Sequence, residues 1–237
     1  MNYINLSFRF DKDLSDKTYG EKLLQLFDKY DVEIGYLGYF EPINISFSRE
    51  RFMEMWGVEQ DGMSDFFARL HKRKSFLVID PCYDGPGSVY ISLCLSKAHY
   101  NDRQNRWLTL FKEMCIELNS YRADMCMDYG SISSLYDYDQ ENFGFLKPKE
   151  VSWFNYWSDD LLAIGDTTDI GSYEWFNRER IESGCFYQLT DQIDASNLDS
   201  RSEEARIIFG NGVLLRRELV EEDDIDWDED YFDWEYK

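Results

Sequence analysis

The segment NYINLSFRF, residues 2–10, decides the fold class that we predict for this protein. Its apolar side chains Ile4, Leu6, Phe8 and Phe10 alternate with polar neighbours. A period of two is typical of a β-strand with one buried face and one polar face. Antiparallel sheets are often solvated on one side, whereas strands of parallel sheets are apolar on both faces. The segment therefore predicts an antiparallel sheet.

The same alternation recurs in SVYISLCLSK (88–97), where Val89, Ile91, Leu93 and Leu95 share one face. Gly and Pro residues separate this stretch from the preceding strand, as expected for a turn. Further strands are predicted in EIGYLGYF (33–40), SFLVIDPCY (75–83), ADMCMDYG (123–130) and SGCFYQLTDQ (183–192).

Helical periodicity is clearest in NDRQNRWLTLFKEMCIELN (101–119), where apolar residues recur every three or four positions. Ser48 is a suitable N-cap for a helix in RERFMEMW. Other helices are predicted in SDKTYGEKLLQLFDKY (15–30), in SDFFARLHKRK (64–74), and from about Ser202 to a stop at Gly210 and Gly212. Because helices and strands are interleaved, we predict an α+β fold with a mainly antiparallel sheet flanked by helices. We expect one domain over residues 1–217 and an acidic, aromatic tail over residues 218–237.

The charge of the chain limits the partners that it can bind. The sequence has 47 acidic and 25 basic residues, which gives a formal net charge of −22. Residues 218–237 contain eleven acids and one base, so the remaining residues are acidic too. Such a field repels nucleic acids and anionic membranes and attracts basic proteins. We therefore expect no direct binding to nucleic acid or membrane.

The tail combines carboxylates with large aromatic rings, which solvated disordered tails contain rarely. Buried rings anchor protein interfaces, and carboxylates steer a basic partner toward them. The alternatives are a solvated end that aids solubility and a segment that docks back on the body. The body itself offers other candidate surfaces, near Tyr136–Asp139 and around Trp175. The tail residues that we predict to bind a partner are Asp223, Asp224, Asp226, Trp227, Asp228, Glu229, Asp230, Tyr231, Phe232 and Trp234.

No arrangement of residues predicts catalysis, a cofactor or a metal. The two histidines, His71 and His99, have no second ligand three or four residues away. We expect His71 at a solvated helix end and His99 in a loop. The five cysteines are scattered without a CxxC pair, which is typical of reduced, mostly buried thiols. The start of the chain does not resemble a signal peptide, and no apolar run is long enough to span a bilayer, so we expect a cytoplasmic protein.

The segment VSWFNYWSDDLLAIG (151–165) resembles part of the immunity proteins of bacterial polymorphic-toxin and type VI secretion systems. The most similar is the immunity protein 52 family, with Trp153, Tyr156 and Ser158 matching a Trp-centred strand that runs into a short helix. GCFYQLTDQ and SEEARIIFGNGVL then match the strand and helix that follow. The resemblance implies a non-enzymatic α+β protein that binds one toxin domain and blocks its active site, and some such toxins are nucleases.

The leading hypothesis from the sequence is therefore a cytoplasmic immunity protein that occludes the basic active site of a cognate secreted toxin, with a nuclease as the expected class. We expect a monomer or a small homo-oligomer. One alternative is an acidic mimic of nucleic acid that inhibits a restriction, repair or defence enzyme. Another is a hydrolase that uses only carboxylates, and a deep pocket with two carboxylates of opposed protonation would indicate it.

Overall fold

In the part of the chain that the structure describes, every neighbouring pair of strands is antiparallel, in a sheet of ten strands flanked by helices. The structure is a computed structural model. It describes residues 3–39, 42–60, 64–70, 74–83, 88–128, 151–164 and 170–213. These residues form one α+β domain, which confirms the predicted fold class.

The strands are β1 (Tyr3–Arg9), β2 (Ile34–Gly38), β3 (Ile45–Ser46), β4 (Phe66–Leu70), β5 (Phe76–Asp80), β6 (Tyr90–Ser96), β7 (Arg122–Asp128), β8 (Phe154–Ser158), β9 (Asn177–Ile181) and β10 (Gly184–Gln188). The α-helices are α1 (Lys17–Lys29), α2 (Arg49–Met55), α3 (Lys97–Asn101), α4 (Gln104–Glu117), α5 (Asp159–Ile164) and α6 (Leu198–Val213). A 3-10 turn spans Ile170–Ser172. No helix in the described ranges is long and apolar enough to cross a membrane.

Strand β1 lies in the middle of the sheet, in the order β3-β2-β4-β5-β6-β1-β7-β8-β10-β9. In its register Leu6 faces Leu93 of β6 and Met125 of β7. All three side chains are buried. The alternating segment at residues 2–10 is thus the central strand, and its apolar face sets the register of both neighbours.

Helices α1, α2 and α4 cover the apolar face of the sheet and form the main core with it. The ring of Phe111 in α4 lies 5.1 Å from that of Phe8 and 5.6 Å from that of Phe154. All three rings are buried, so α4 joins the central strand to β8. The helical spacing in residues 101–119 predicted this buried face correctly.

A second, smaller core lies where α5 and α6 pack near β8 and β10. Trp157, Leu161, Tyr187 and Ala205 are buried there. Ser158 caps α5, because its hydroxyl oxygen accepts the Leu161 amide at 3.2 Å, and Ser48 caps α2 in the same way. The cap at Ser48 confirms the prediction made for that serine.

The polar face of the central strands is more buried than a one-sided solvated sheet implies. Asn5 and Ser92 are both buried, and the Ser92 hydroxyl donates to Asn5 Oδ1 at 2.8 Å. The Asn155 side chain is also buried. Its Oδ1 atom accepts the Ser152 amide at 2.9 Å, and its Nδ2 atom donates to the Ser152 carbonyl at 2.6 Å. These polar side chains satisfy one another, as buried polar groups must.

The prediction of a helix over residues 64–74 is wrong, since residues 66–70 form strand β4 between β2 and β5. Phe66, Ala68 and Leu70 are buried and alternate with half-buried Phe67 and Arg69. A short run with apolar residues at positions 66, 67 and 70 fits both the helical period and the strand period, and pairing with the neighbouring strands makes it a strand.

Three other expectations need correction. Helix α6 begins at Leu198, earlier than the predicted start, and continues through Gly210 and Gly212 to Val213. Glycine lowers helix stability without forbidding the helical conformation. His99 lies in the short helix α3 and not in a loop. Strand β9 was not predicted, because its sequence NRERI is exposed and charged and carries no apolar alternation.

Both edges of the sheet resist pairing with another chain. Edge strand β3 has two residues, and edge strand β9 carries the charged side chains of Arg178, Glu179 and Arg180. Short or charged edge strands are the usual protection against edge-to-edge association. The edges of the sheet are therefore unsuited to binding another chain, and the loops at the ends of the strands are the better candidates for an interaction surface.

Candidate functional site

The predicted partner-binding residues of the tail, 223–234, lie outside the described residues, and so do Tyr136–Asp139 and His71. Their predicted role remains a prediction. The candidate site described below consists of side chains of the described domain.

The one Ser–His contact in the described ranges is structural in character. The Nδ1 atom of His99 lies 3.0 Å from the Ser75 hydroxyl, and that hydroxyl also accepts the Ser96 amide at 2.9 Å. Ser75 is only 2% exposed, so a substrate has no access to its oxygen. The pair joins the end of β6 and helix α3 to the residue that precedes β5.

Two of the thiols, those of Cys115 and Cys82, are poor nucleophiles. Burial raises the pKa of Cys115 well above its usual value, and burial followed by the nearby carboxylates of Asp80 and Asp13 raises the pKa of Cys82. A thiol with a raised pKa stays protonated at neutral pH. All five cysteines are free, and no group of His, Cys, Asp and Glu within the described ranges is arranged to hold a metal ion.

One end of the sheet gathers chain segments that are far apart in sequence. A line of backbone hydrogen bonds crosses this end: Phe10 to Val89 at 3.1 Å, Tyr121 to Arg9 at 2.9 Å, and Ser158 to Tyr121 at 3.1 Å. Exposed and half-buried carboxylates lie on the strands and loops that end here. We call this end the acidic end, and its carboxylates are Asp11, Asp13, Glu59, Asp65, Asp80, Asp159 and Asp160.

Three loops at the acidic end are locked together by hydrogen bonds. The Leu14 amide donates to the Pro81 carbonyl at 2.9 Å, and the Trp56 indole donates to the Leu14 carbonyl at 2.8 Å. Gly57 follows Trp56 with a φ of +70°, and a Cβ there would lie 2.5 Å from the Ser15 carbonyl oxygen. Only glycine suits such a left-handed, crowded position.

These loops present what we call the three-loop surface, defined by Asp13, Val58, Glu59, Asp65, Asp80 and Tyr83. Asp13 bonds to both the amide and the hydroxyl of Ser15, at 2.9 and 2.7 Å. Asp80 accepts the Ser64 hydroxyl at 2.7 Å and the Cys82 amide at 3.3 Å. Asp80 and Asp13, and to a smaller extent Glu59, lie near enough to Cys82 to add to the raised pKa of its thiol.

Asp65 is the least favourably placed carboxylate of this surface. It is half-buried, and burial raises its pKa above the usual value. No base within the described ranges forms an ion pair with it. The register that pairs Phe66 with Ile79 also brings Asp65 and Asp80 to the same end of strands β4 and β5. Like charges on neighbouring strands destabilise a sheet unless a cation offsets them.

Two large apolar side chains are exposed among these carboxylates. Val58 is 43% exposed and Tyr83 is 47% exposed. Val58 adjoins Glu59, and Tyr83 adjoins Cys82, the thiol on which the three carboxylates act. The surface thus combines apolar anchors with a negative rim.

The other half of the acidic end is electrostatically compensated. The Arg180 guanidinium holds both oxygens of Asp159, at 2.6 and 2.8 Å. Burial raises the pKa of Tyr121 to about 12, and the nearby carboxylates of Asp11 and Asp160 add to the effect. The phenol therefore stays neutral, and of the carboxylates on this half Asp159 is paired with a base.

The surroundings of Trp175, the other candidate surface within the described residues, are mostly structural. The Trp175 indole donates to the Ile170 carbonyl at 3.0 Å, and its ring lies 4.8 Å from that of Tyr187. Trp175 is half-buried, whereas its neighbour Phe176 is 58% exposed. The amide of Phe176 bonds to Gln188, at the end of the sheet opposite the acidic end.

The residues that carry the family resemblance are structural as well. The Trp153 indole donates to the Thr190 carbonyl at 2.8 Å, and the Tyr156 hydroxyl bonds to Ser183. Both rings are buried, and Ser158 is the cap of α5. They hold β8 against its neighbours.

No family model and no curated protein matches this chain. Among solved structures, the T6SS protein PA0821 of Pseudomonas aeruginosa has a similar fold. The TM-score is 0.63 at 14% sequence identity, and the match covers 90% of this chain and 73% of that protein. At this identity the likeness establishes a shared fold and nothing finer. Membership of the immunity protein 52 family therefore remains a prediction.

Proposed function

We propose that this protein is an immunity protein that binds a secreted toxin domain of a type VI secretion system and occludes its basic active site. It acts as a stoichiometric inhibitor without turnover, and the expected toxin is a nuclease. The shared fold with a T6SS protein supports the secretion context.

The observation that carries the proposal is the charge of the chain and where it lies. The net charge is −22, and exposed and half-buried carboxylates lie together with exposed apolar side chains at one end of the sheet. A nuclease must hold phosphates, so its active cleft is basic. An acidic inhibitor therefore complements that cleft.

Charge complementarity also meets the kinetic demand on an immunity protein. The toxin has to be bound before it damages the cell, so association must be fast. Electrostatic steering raises association rates from about 10⁵–10⁶ M⁻¹ s⁻¹ to as much as about 10⁸–10⁹ M⁻¹ s⁻¹ at low salt. A slow off-rate then depends on desolvated apolar contacts.

The experiment is co-expression of this gene with the toxin domain encoded beside it, in cells that the toxin alone kills. We expect survival, and a stable complex of the two purified proteins in equimolar mixture. An inactive toxin variant serves for the binding measurements, since it can be purified alone. Continued killing, together with two separate peaks in size-exclusion chromatography, would refute the proposed function.

A further inference from the structure

We infer that the three-loop surface is the contact site for the toxin, with Val58 and Tyr83 at its centre and the carboxylates as its rim. The partner surface is correspondingly an apolar patch bordered by Lys and Arg. This inference rests on the proposed function and adds to it the location and the chemistry of the interface.

The arrangement matches the anatomy of protein interfaces, in which an apolar centre is surrounded by a polar rim. Aromatic residues are enriched among the side chains that dominate binding energy. Val58 is exposed next to Glu59 in the sequence, and Tyr83 is exposed next to Cys82, whose thiol pKa the carboxylates of Asp80 and Asp13 raise. An acidic patch without exposed apolar groups would be a poorer anchor, because rim charges alone give little affinity.

The surface is also held in place before any partner arrives. Its loops are tied by the bonds from Leu14 to Pro81 and from Trp56 to Leu14, and by the close approach of Gly57 to Ser15. A pre-organised surface loses less conformational entropy on binding. The geometry of Val58 and Tyr83 is therefore available without refolding of the loops.

Asp65 gives a second, independent indication of a cationic partner. Its half-buried carboxylate lies at the same end of the sheet as Asp80, and no base of the described domain pairs with it. Such a placement costs stability in the free protein, and a Lys or Arg of the toxin would offset that cost on binding. Residues that lower stability are often retained at sites of function.

Several exposed acids outside this surface already have partners within the domain. Asp159 pairs with Arg180, Asp194 pairs with Lys97, and Asp28 pairs with Arg49. A toxin would have to displace these bases before it could use those carboxylates. The exposed ring of Phe176 lies beside Arg178 at the opposite end of the sheet, where the charge is mixed.

The test uses the full chain and the catalytically inactive toxin domain encoded beside its gene, with rates measured by surface plasmon resonance at two salt concentrations. Two variants probe the surface, Tyr83→Ala and Glu59→Lys. Two matched controls lie elsewhere: Phe176→Ala removes a ring that is at least as exposed as that of Tyr83, and Asp191→Lys reverses an exposed charge. Thermal melts confirm that each variant is folded.

We expect Tyr83→Ala to raise the dissociation rate about tenfold or more, the effect of losing one interface anchor. We expect Glu59→Lys to slow association several-fold at low salt and much less in 0.5 M salt, because salt screens steering. Both controls should stay within about twofold of the wild type, because both residues lie outside the proposed interface and do not contribute binding contacts.

The outcomes separate the inference from the proposed function. If the wild type binds the toxin tightly and the probe variants bind as the controls do, the interface lies elsewhere and the proposed function stands. If the controls lose binding and the probe variants do not, the surface around Phe176 is the interface. If the folded wild type does not bind the toxin, both the proposed function and this inference are wrong.

Discussion

Gly57 provides a sharp test of whether the three loops at the acidic end are held together as described. The perturbation is Gly57→Ala. The residue has a φ of +70°, and an added Cβ would lie 2.5 Å from the Ser15 carbonyl oxygen and 3.1 Å from Ser15 Cα. Both atoms belong to the backbone, so neither can move aside without moving the loop.

The expected magnitude combines two costs. A non-glycine residue in the left-handed region costs about 1 kcal/mol, and a forced shift of packed backbone adds about 1–2 kcal/mol. The sum is roughly 2–3 kcal/mol. For a domain of this size, about 1 kcal/mol lowers the melting temperature by about 2–4 °C. We therefore expect Tm to fall by about 4–12 °C.

The assay is thermal and urea unfolding followed by circular dichroism, with Gly171→Ala as the matched control. A Cβ at Gly171 meets only the end of the flexible Arg178 side chain, at 3.3 Å, and its φ is not in the left-handed region. That control should stay within about 0.5 kcal/mol of the wild type, as most surface substitutions do. Gly57→Asn separates the two costs, because Asn tolerates positive φ but still carries a Cβ.

The reasoning would be refuted if Gly57→Ala were as stable as Gly171→Ala. That result would mean that the loop from residue 56 to residue 60 does not depend on its contact with Ser15. If Gly57→Asn is as unstable as Gly57→Ala, steric contact dominates over backbone conformation. In either destabilised variant we also expect faster dissociation from the toxin, since Val58 follows directly.

Three further predictions concern charge, core and tail. Asp65→Asn should raise Tm at pH 7 by up to about 2 °C, because burial raises the pKa of Asp65 and its charged form costs stability above that pKa. The gain in Tm should vanish as pH falls through the raised pKa toward the usual value of 3.8. A wild type that melts at a higher temperature than the variant at pH 7 would contradict this prediction. Phe111→Ala should lower the free energy of unfolding in urea by about 3–5 kcal/mol, since the ring is fully buried between Phe8 and Phe154. The control Ile116→Ala, on the exposed side of the same helix, should lower it by less than about 0.5 kcal/mol. Equal losses for the two variants would show that α4 does not pack on the sheet as described. Deleting residues 221–237 should leave Tm unchanged and slow toxin association, more so at low salt, whereas an unchanged association rate would show that the tail serves only solubility.

The fold could be predicted where one period dominates a long stretch. The alternation in residues 2–10 and the helical spacing in residues 101–119 each gave the correct element, because each has a single apolar face that the core buries. Strand β4 was missed since its five residues fit both periods, and its type follows from pairing with β2 and β5. Strand β9 has no apolar face at all. Its type depends on neighbours that the local sequence does not reveal.

The candidate site could not be predicted from the sequence for a related reason. Asp13, Val58 and Tyr83 are separated by tens of residues, and each lies in an ordinary polar turn. The antiparallel order of β1, β4 and β5 and the bonds around Trp56 bring their loops together. The partner-binding residues were predicted in the tail instead, because its carboxylates and aromatic rings are contiguous in the sequence. A contiguous pattern is visible in a sequence, whereas a surface assembled from loops is not.

The tail and the three-loop surface should contribute to different rate constants. Association rate depends on the summed field of the molecule, to which residues 218–237 add eleven acids and one base. Dissociation rate depends on the short-range contacts that must break, and a rigid surface with Tyr83 at its centre supplies these. Combining the tail deletion with Tyr83→Ala should therefore give additive changes in log rate, one in association and one in dissociation. If the deletion also accelerates dissociation as strongly as Tyr83→Ala does, the aromatic residues of the tail belong to the interface itself.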